Sequence, residues 1–282
     1  MTGGADKLAI IAGGGALPIV VAEGALAAGR SIHVLGIDGE VDATLERYPF
    51  TRVGIGQVGR ILETLKRQGC RDIVIAGTVG RPELARLHLD LGALANLPRL
   101  AGMMLGGDNH LLSTIVRFFE SKGFRVLGAH DVAPQLLAGE GVLGRERPSR
   151  EAEGDIARGL EIVRALGTLD VGQAVVVSRG YVLAVEAAEG TDALLERVAS
   201  LRATRFKRQK VPSGVLVKRA KPGQERRVDL PTIGPRTVAL AAGAGLQGIA
   251  VHAGNVLLIE REQLLRDADA ARLFVVGVRD EG

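Results

Sequence analysis

Lys7-Leu8-Ala9-Ile10-Ile11-Ala12-Gly13-Gly14-Gly15-Ala16-Leu17-Pro18 is the stretch that decides the fold class. Lys7 to Ala12 reads as a buried strand, three glycines turn the chain, and a helix runs over about 16–28. The same unit recurs downstream. SIHVLGI (31–37) reads as a second strand, RVGIG (52–56) as a short third, and Val58 to Gln68 as a helix with apolar residues at 58, 61, 62 and 65. RDIVIAG (71–77) reads as a fourth strand, helices are expected at about 83–105 and 110–122, and FRVLGA (124–129) follows. Strands alternating with helices predict right-handed βαβ units, hence a parallel sheet with helices on both faces.

The second half departs from this rhythm. Ala138 to Arg150 is polar, carries three glycines and a proline, and lacks periodicity, so it reads as a linker. The expected organisation is therefore a Rossmann-like α/β domain over residues 1–137, a linker over 138–150, and a mixed α/β domain over 151–282. Glu151 to Leu166 reads as an amphipathic helix, and 173–186 as a hairpin turning at Arg179-Gly180. A helix is expected over about 191–201, then a basic stretch, a further helix and strands, and a last strand RLFVVGV. Thr237 to Ile259 is 23 residues without a charge, long enough to span a bilayer. Its four glycines, with Gln247, His252 and Asn255, divide it into a helix and two short strands instead.

Composition narrows the function classes. Aromatic residues are 3% and tryptophan is absent, which leaves no stacking platform for single-stranded nucleic acid. The single cysteine, Cys70, excludes an intramolecular disulfide and a thiolate zinc cage. The first residues lack a basic leader, so a cytoplasmic location is expected. Residues 202–227 hold ten Lys/Arg against one acid, Glu225, while the whole chain is only +4. Such a local excess suits phosphate capture, an anionic membrane surface or a solvated face.

Five motifs could carry chemistry. Gly13-Gly14-Gly15, between a strand and a helix, would let a phosphate approach backbone N–H groups, with Asp38 placed as a ribose-binding acid at the end of the second strand. The pattern G-x-G-x-x-P lacks the third glycine of the dinucleotide fingerprint. Gly77-Thr78-Val79-Gly80-Arg81 lies at the C-terminal end of a strand, where ligands bind in open α/β sheets. Asp108-Asn109 opens a helix, where Asp108 would cap it or reach a ligand. Glu186 to Asp192 gathers Glu186, Glu189, Thr191 and Asp192, oxygen ligands of the kind hard cations prefer. Arg227 to Thr237 places Asp229 in a proline-stiffened loop beside arginines.

In order, GGG-x-LP, G-x-V-x-RP, GDN-x-LL, D-VGQ, VE-x-x-EGTDA, VK-x-x-KP-x-Q and DLPTIG resemble the metal-dependent UDP-2,3-diacylglucosamine pyrophosphatases of lipid A biosynthesis. This is the two-domain type, unrelated to the calcineurin-like enzyme of the same step, and the resemblance runs from about residue 7 to 277. It implies hydrolysis of the substrate diphosphate to UMP and 2,3-diacylglucosamine 1-phosphate (lipid X), assisted by Mg²⁺ or Mn²⁺. It implies catalytic and metal-holding roles for Asp229, Asp192 and Glu189. Substrate contacts are expected at Gly13, Gly14, Gly15, Leu17, Asp38, Gly77, Thr78, Arg81, Asp108, Asn109, Gly190, Thr191, Lys218, Thr232 and Gly234. Asn109 stands where many relatives carry a second acid, and Glu225 lengthens an aspartate. The expected partners are the UDP-diacyl sugar, its lipid product and a transient anionic surface of the inner membrane, with a homodimer left open. An NAD(P)-dependent oxidoreductase and a non-catalytic lipid- or nucleotide-binding module are the competing readings.

Overall fold

A computed structural model describes residues 7–80, 90, 108–205 and 211–279. The chain divides into two units. Residues up to Pro134 together with Glu225–Asp229 form one, and Gln135–Gln224 with Leu230 onward form the other.

In the N-terminal unit, β1 (Leu8–Ala12), β2 (Ile32–Ile37), β3 (Phe50–Val53), β4 (Asp72–Ala76) and β5 (Arg125–Leu127) make an all-parallel sheet in the order β3-β2-β1-β4-β5. Every residue of β1 is buried. A strand covered on both faces reads as a continuous apolar run, which is why LAIIA shows no alternation. Four helices accompany the described part of the sheet: α1 (Leu17–Ala27), α2 (Val58–Arg67), α3 (Asp108–Ser121) and the short α4 (Ala129–Val132). Ile61 and Leu65 of α2 pack with Leu35, Ile73 and the α3 residues Val116, Phe118 and Phe119. Cys70 is buried in the same core. The third strand begins two residues before the expected 52. Phe50 covers Gly36, where an added Cβ would stand 2.3 Å from the ring, and Gly54 already turns the chain by donating to the Gln57 side chain. The helix expected over 83–105 lies outside the described residues.

The C-terminal unit carries a six-stranded mixed sheet in the order β6-β13-β11-β9-β7-β8. Its strands are β6 (Gly141–Val142), β7 (Ala174–Ser178), β8 (Tyr181–Val185), β9 (Val215–Lys218), β11 (Gly248–His252) and β13 (Phe274–Val278). The central β9, β11 and β13 run parallel; β7, β8 and β6 are antiparallel to their neighbours. A separate parallel pair joins β10 (Thr232–Ile233) to β12 (Leu257–Leu258). One sheet face packs on α5 (Arg150–Thr168) through Val175, Val177, Val215 and Val217. The other packs on α6 (Gly190–Arg205), α7 (Pro235–Gly243) and α8 (Arg261–Ala270) through Val176, Leu216, Ile249 and Val275.

The β7–β8 turn forms as expected, with φ of +52° at Arg179 and +78° at Gly180. Both turn amides donate to the buried Asp155 carboxylate, at 2.9 and 2.7 Å. Two sequence readings need revision. The stretch 138–150 is no free linker, because β6 pairs with the edge of β13 and belongs to the C-terminal unit. Within the basic stretch, Val215–Lys218 is a fully buried central strand; four residues are too short to declare themselves among so many charges. The second of the two short strands expected within 237–259 forms as β12 and pairs with β10. Among the described residues no helix is long and apolar enough to cross a membrane.

Candidate active site in the C-terminal unit

Three helices of the C-terminal unit begin at one cleft of about 670 Å³. The first turn of α6 contributes Gly190, Thr191 and Asp192. The start of α7 contributes Gly234, Pro235, Arg236 and Thr237, and Glu260 is the N-cap of α8. Helix N-termini present unpaired N–H groups and the positive end of the helix dipole, so their convergence favours an anion. Proline at the first position of α7 costs no hydrogen bond there, and Gly234 N–H donates to Thr237 Oγ1 at 3.3 Å.

Lys218, the last residue of β9, lines the same cleft and is only 6% exposed. Its Nζ donates to Thr191 Oγ1 at 2.8 Å and to the Thr232 carbonyl at 2.9 Å. Thr191 in turn donates to Glu186 Oε1 at 3.0 Å. The cleft thus has a cationic floor, supported from beneath by a buried carboxylate. At its rim, Asp192 pairs with Arg236 at 2.6 Å and Glu189 with Arg197 at 2.9 Å.

The structure gathers Glu189, Gly190, Thr191, Asp192, Lys218, Thr232 and Gly234 around this cleft. Asp229 is not among the residues lining this cleft, and the Glu225–Asp229 segment groups with the N-terminal unit. Arg227 organises that segment through Glu225, at 2.8 and 2.7 Å, and through Glu120 of α3 at 2.6 Å. The hydrogen bonds from Arg227 hold the Glu225 carboxyl below its ordinary range. Val228 packs on the N-terminal core. The arginines expected to flank Asp229 are therefore partly spent, Arg227 on Glu225 and Glu120, and Arg236 on Asp192.

The glycine turn also differs from its expected role. Gly13 N–H donates to Ala76 O and Gly14 N–H to Thr78 O, at 2.9 and 2.7 Å. A Cβ on Gly13 would stand 2.3 Å from Thr78 O, and one on Gly77 would stand 2.6 Å from Gly14 O. These glycines let the loops after β1 and β4 pair backbone to backbone, which uses the amides of Gly13 and Gly14, two of the three expected to cradle phosphate. Gly15 is exposed, Leu17 half-buried, and Asp38 pairs with Arg52 on the surface. Arg81 lies outside the described residues, as do the side chains of Asp108 and Asn109.

Among the described residues no three His, Cys, Asp or Glu side chains gather into a metal-holding group. Mg²⁺ is commonly held by one or two carboxylates together with substrate phosphates. Glu189 and Asp192, partly exposed at the cleft rim, fit that arrangement and do not make a closed protein cage. Sequence reasoning does not assign Arg236 or Glu260 to the cleft, and it reads Glu186 as a candidate cation ligand rather than as the carboxylate beneath Thr191 and Lys218. Glu260 has a left-handed φ of +50°, and nothing in the local sequence announces it.

These features define a two-unit α/β protein whose second unit carries a cleft lined by Lys218 and three helix starts. Comparison with known proteins gives its family. Residues 7–136 match the LpxI N-terminal domain and residues 139–276 the LpxI C-terminal domain. The chain is 45% identical over 272 residues to the UDP-2,3-diacylglucosamine pyrophosphatase LpxI of Caulobacter vibrioides, covering 96% of this chain and 97% of that one. Among solved structures it is similar to a Thermus thermophilus UDP-glucose 4-epimerase complex with NAD, at 16% identity over 94% of this chain and 83% of the other, TM-score 0.30. It is also similar to glycinamide-RNase-transformylase T from Mycobacterium tuberculosis, at 14% identity over 64% and 44%, TM-score 0.22. Neither of these two bears on function. The chain belongs to the LpxI family.

Proposed function

We propose that this chain hydrolyses the diphosphate of UDP-2,3-diacylglucosamine, releasing UMP and 2,3-diacylglucosamine 1-phosphate, a step of lipid A biosynthesis. The observation that carries this reading is the near-full-length likeness to the Caulobacter vibrioides pyrophosphatase. The cleft supports it chemically. Lys218 and the N-termini of α6 and α7 supply fixed positive charge and donors for a diphosphate, which no reorganisation of solvent need provide during reaction. Water attacks the phosphorus on the sugar side, and the P–O bond to the UMP phosphate breaks.

Mg²⁺ or Mn²⁺, with Glu189 and Asp192 as protein oxygen donors, would neutralise phosphate charge and acidify a bound water. Asp229 is assigned a water-orienting or metal-holding role. The ion pairs of Arg227 support it by fixing the segment that ends at this half-buried aspartate. The acyl chains are assigned an apolar cleft lined partly by residues 91–105, which lie outside the described residues. Contact with an anionic inner-membrane surface is proposed as weak and salt-sensitive. Within 202–227, Lys218 is buried, Arg202 donates to the Gly245 and Ser213 carbonyls, and Lys221 and Arg227 are in ion pairs.

The test is turnover in ¹⁸O-water. UMP should be released, with label in the sugar 1-phosphate. Label in UMP would overturn the site of attack, and folded protein that binds the UDP-diacyl sugar without releasing UMP would overturn the enzyme in favour of a binding module.

A further inference from the structure

Glu186 is only 5% exposed, lies outside the lining of the cleft, and has no role in the reaction as described above. Its Oε1 accepts the only hydrogen of the Thr191 hydroxyl. That leaves the hydroxyl lone pairs for Lys218 Nζ, which donates to them at 2.8 Å. The direction of each bond is thereby settled: ammonium to hydroxyl, hydroxyl to carboxylate. Among the described residues, Glu186 Oε2 is buried without a hydrogen-bond partner. A carboxylate in that condition is costly, and the hydrogen bonds through Thr191 link it to the Lys218 ammonium.

The backbone around Glu186 is held as firmly. Its N–H donates to Ala174 O at 2.8 Å, continuing the β7–β8 ladder. Gly172 lies against its carbonyl so closely that an added Cβ would stand 2.0 Å from Glu186 O. The Asp170-Val171-Gly172-Gln173 and Val185-Glu186 motifs therefore meet at one point, and the glycine admits the backbone of residue 186.

We propose that Glu186 is a positioning residue: acting through the Thr191 hydroxyl, it aims the Lys218 ammonium at the phosphate-binding cleft. The inference rests on the pyrophosphatase reading for its kinetic consequence, but not for its geometry. Without the carboxylate, the Thr191 hydroxyl is free to turn its hydrogen toward Lys218, and the acceptor becomes a competing donor.

Near-isosteric variants test this without opening a cavity. Thr191→Val and Glu186→Gln should each lower kcat about tenfold or more, the scale of a lost charge-assisted hydrogen bond, with KM changed far less. Thr191→Ser should recover most of that loss. The Thr191→Val/Glu186→Gln double variant should be little worse than Thr191→Val alone, because both break one chain. Competitive amine acylation, read by peptide mass spectrometry without substrate, should show Lys218 reacting severalfold faster in either single variant. Additive kcat losses, or unchanged Lys218 reactivity in variants of normal melting temperature, would overturn the positioning role. Wild-type protein without turnover but with the expected labelling pattern would overturn the pyrophosphatase reading alone.

Discussion

Replacing Lys218 by methionine should separate stability from activity, and a second substitution should show why. Lys218 is 6% exposed, and its ammonium donates to Thr191 Oγ1 and Thr232 O at 2.8 and 2.9 Å. Methionine roughly conserves the buried volume, so little of the cost is cavity. It leaves the Thr232 carbonyl one donor short and strips the buried Glu186 carboxylate of the cation it reaches through Thr191. Breaking a buried charge pair from one side costs about 3–5 kcal/mol. At about 2–4 °C per kcal/mol for a domain of this size, the melting temperature should fall by roughly 6–20 °C. Adding Glu186→Gln removes the stranded charge and should return most of that loss, because no buried carboxylate is then left without a cation. Activity should not return, since the positive charge facing the diphosphate is gone from both variants; loss of one such stabilising group costs about 10²–10³-fold in kcat. Scanning calorimetry and a UMP-release assay on the single and double variants provide the readouts. A double variant no more stable than Lys218→Met would refute the charge coupling. A double variant with wild-type turnover would refute the role of Lys218 at the phosphates.

Asp229→Ala should melt normally and bind substrate, yet lose about 10²–10⁴-fold in turnover; kcat within about threefold of wild type would remove its role. Chelation with EDTA should stop UMP release and added Mg²⁺ or Mn²⁺ should restore it, whereas full activity in EDTA would dismiss the metal. Burial pushes the Asp72 carboxyl up, but hydrogen bonds from Arg125 and Arg30 outweigh it and hold the group below its ordinary range. Its contribution is therefore complete above the unfolded carboxylate pKa of about 3.9 and is lost as pH falls through the lower folded value. The stability gap between wild type and Asp72→Asn, about 1.5–3 kcal/mol at neutral pH, should narrow steadily as the pH falls below the unfolded carboxylate value; a gap that stays constant in acid would contradict the assignment.

The N-terminal unit is legible because its code is local. Buried parallel strands are continuous apolar runs, α2 carries a 3.6-residue apolar stripe and α1 is set off by the glycine turn and Pro18, so β1, β2, β4, α1 and α2 fall where the pattern puts them. The Arg179-Gly180 turn is equally local, since two consecutive positive φ values need a permissive second residue. What escapes depends on distant partners. β6 exists because the edge of β13 is there to pair with it, and β9 because β7 and β11 flank it. The role of the first glycines escapes for the same reason. Their spacing resembles a phosphate turn, but Thr78, more than 60 residues away, takes the amide. The EGTDA, VK and DLPTIG motifs do point to one cleft, whereas the separation of Asp229 into the other unit follows from Arg227 and Val228 anchoring the segment before it.

A crystal structure with a non-hydrolysable methylene-diphosphonate analogue of the UDP-diacyl sugar would bear on the central claim most directly. The account predicts both phosphorus atoms in the C-terminal cleft, with phosphate oxygens within hydrogen-bond distance of Lys218 Nζ and of amides in the first turns of α6 and α7. A diphosphate bound instead at Gly13–Gly15, with the C-terminal cleft empty, would contradict it.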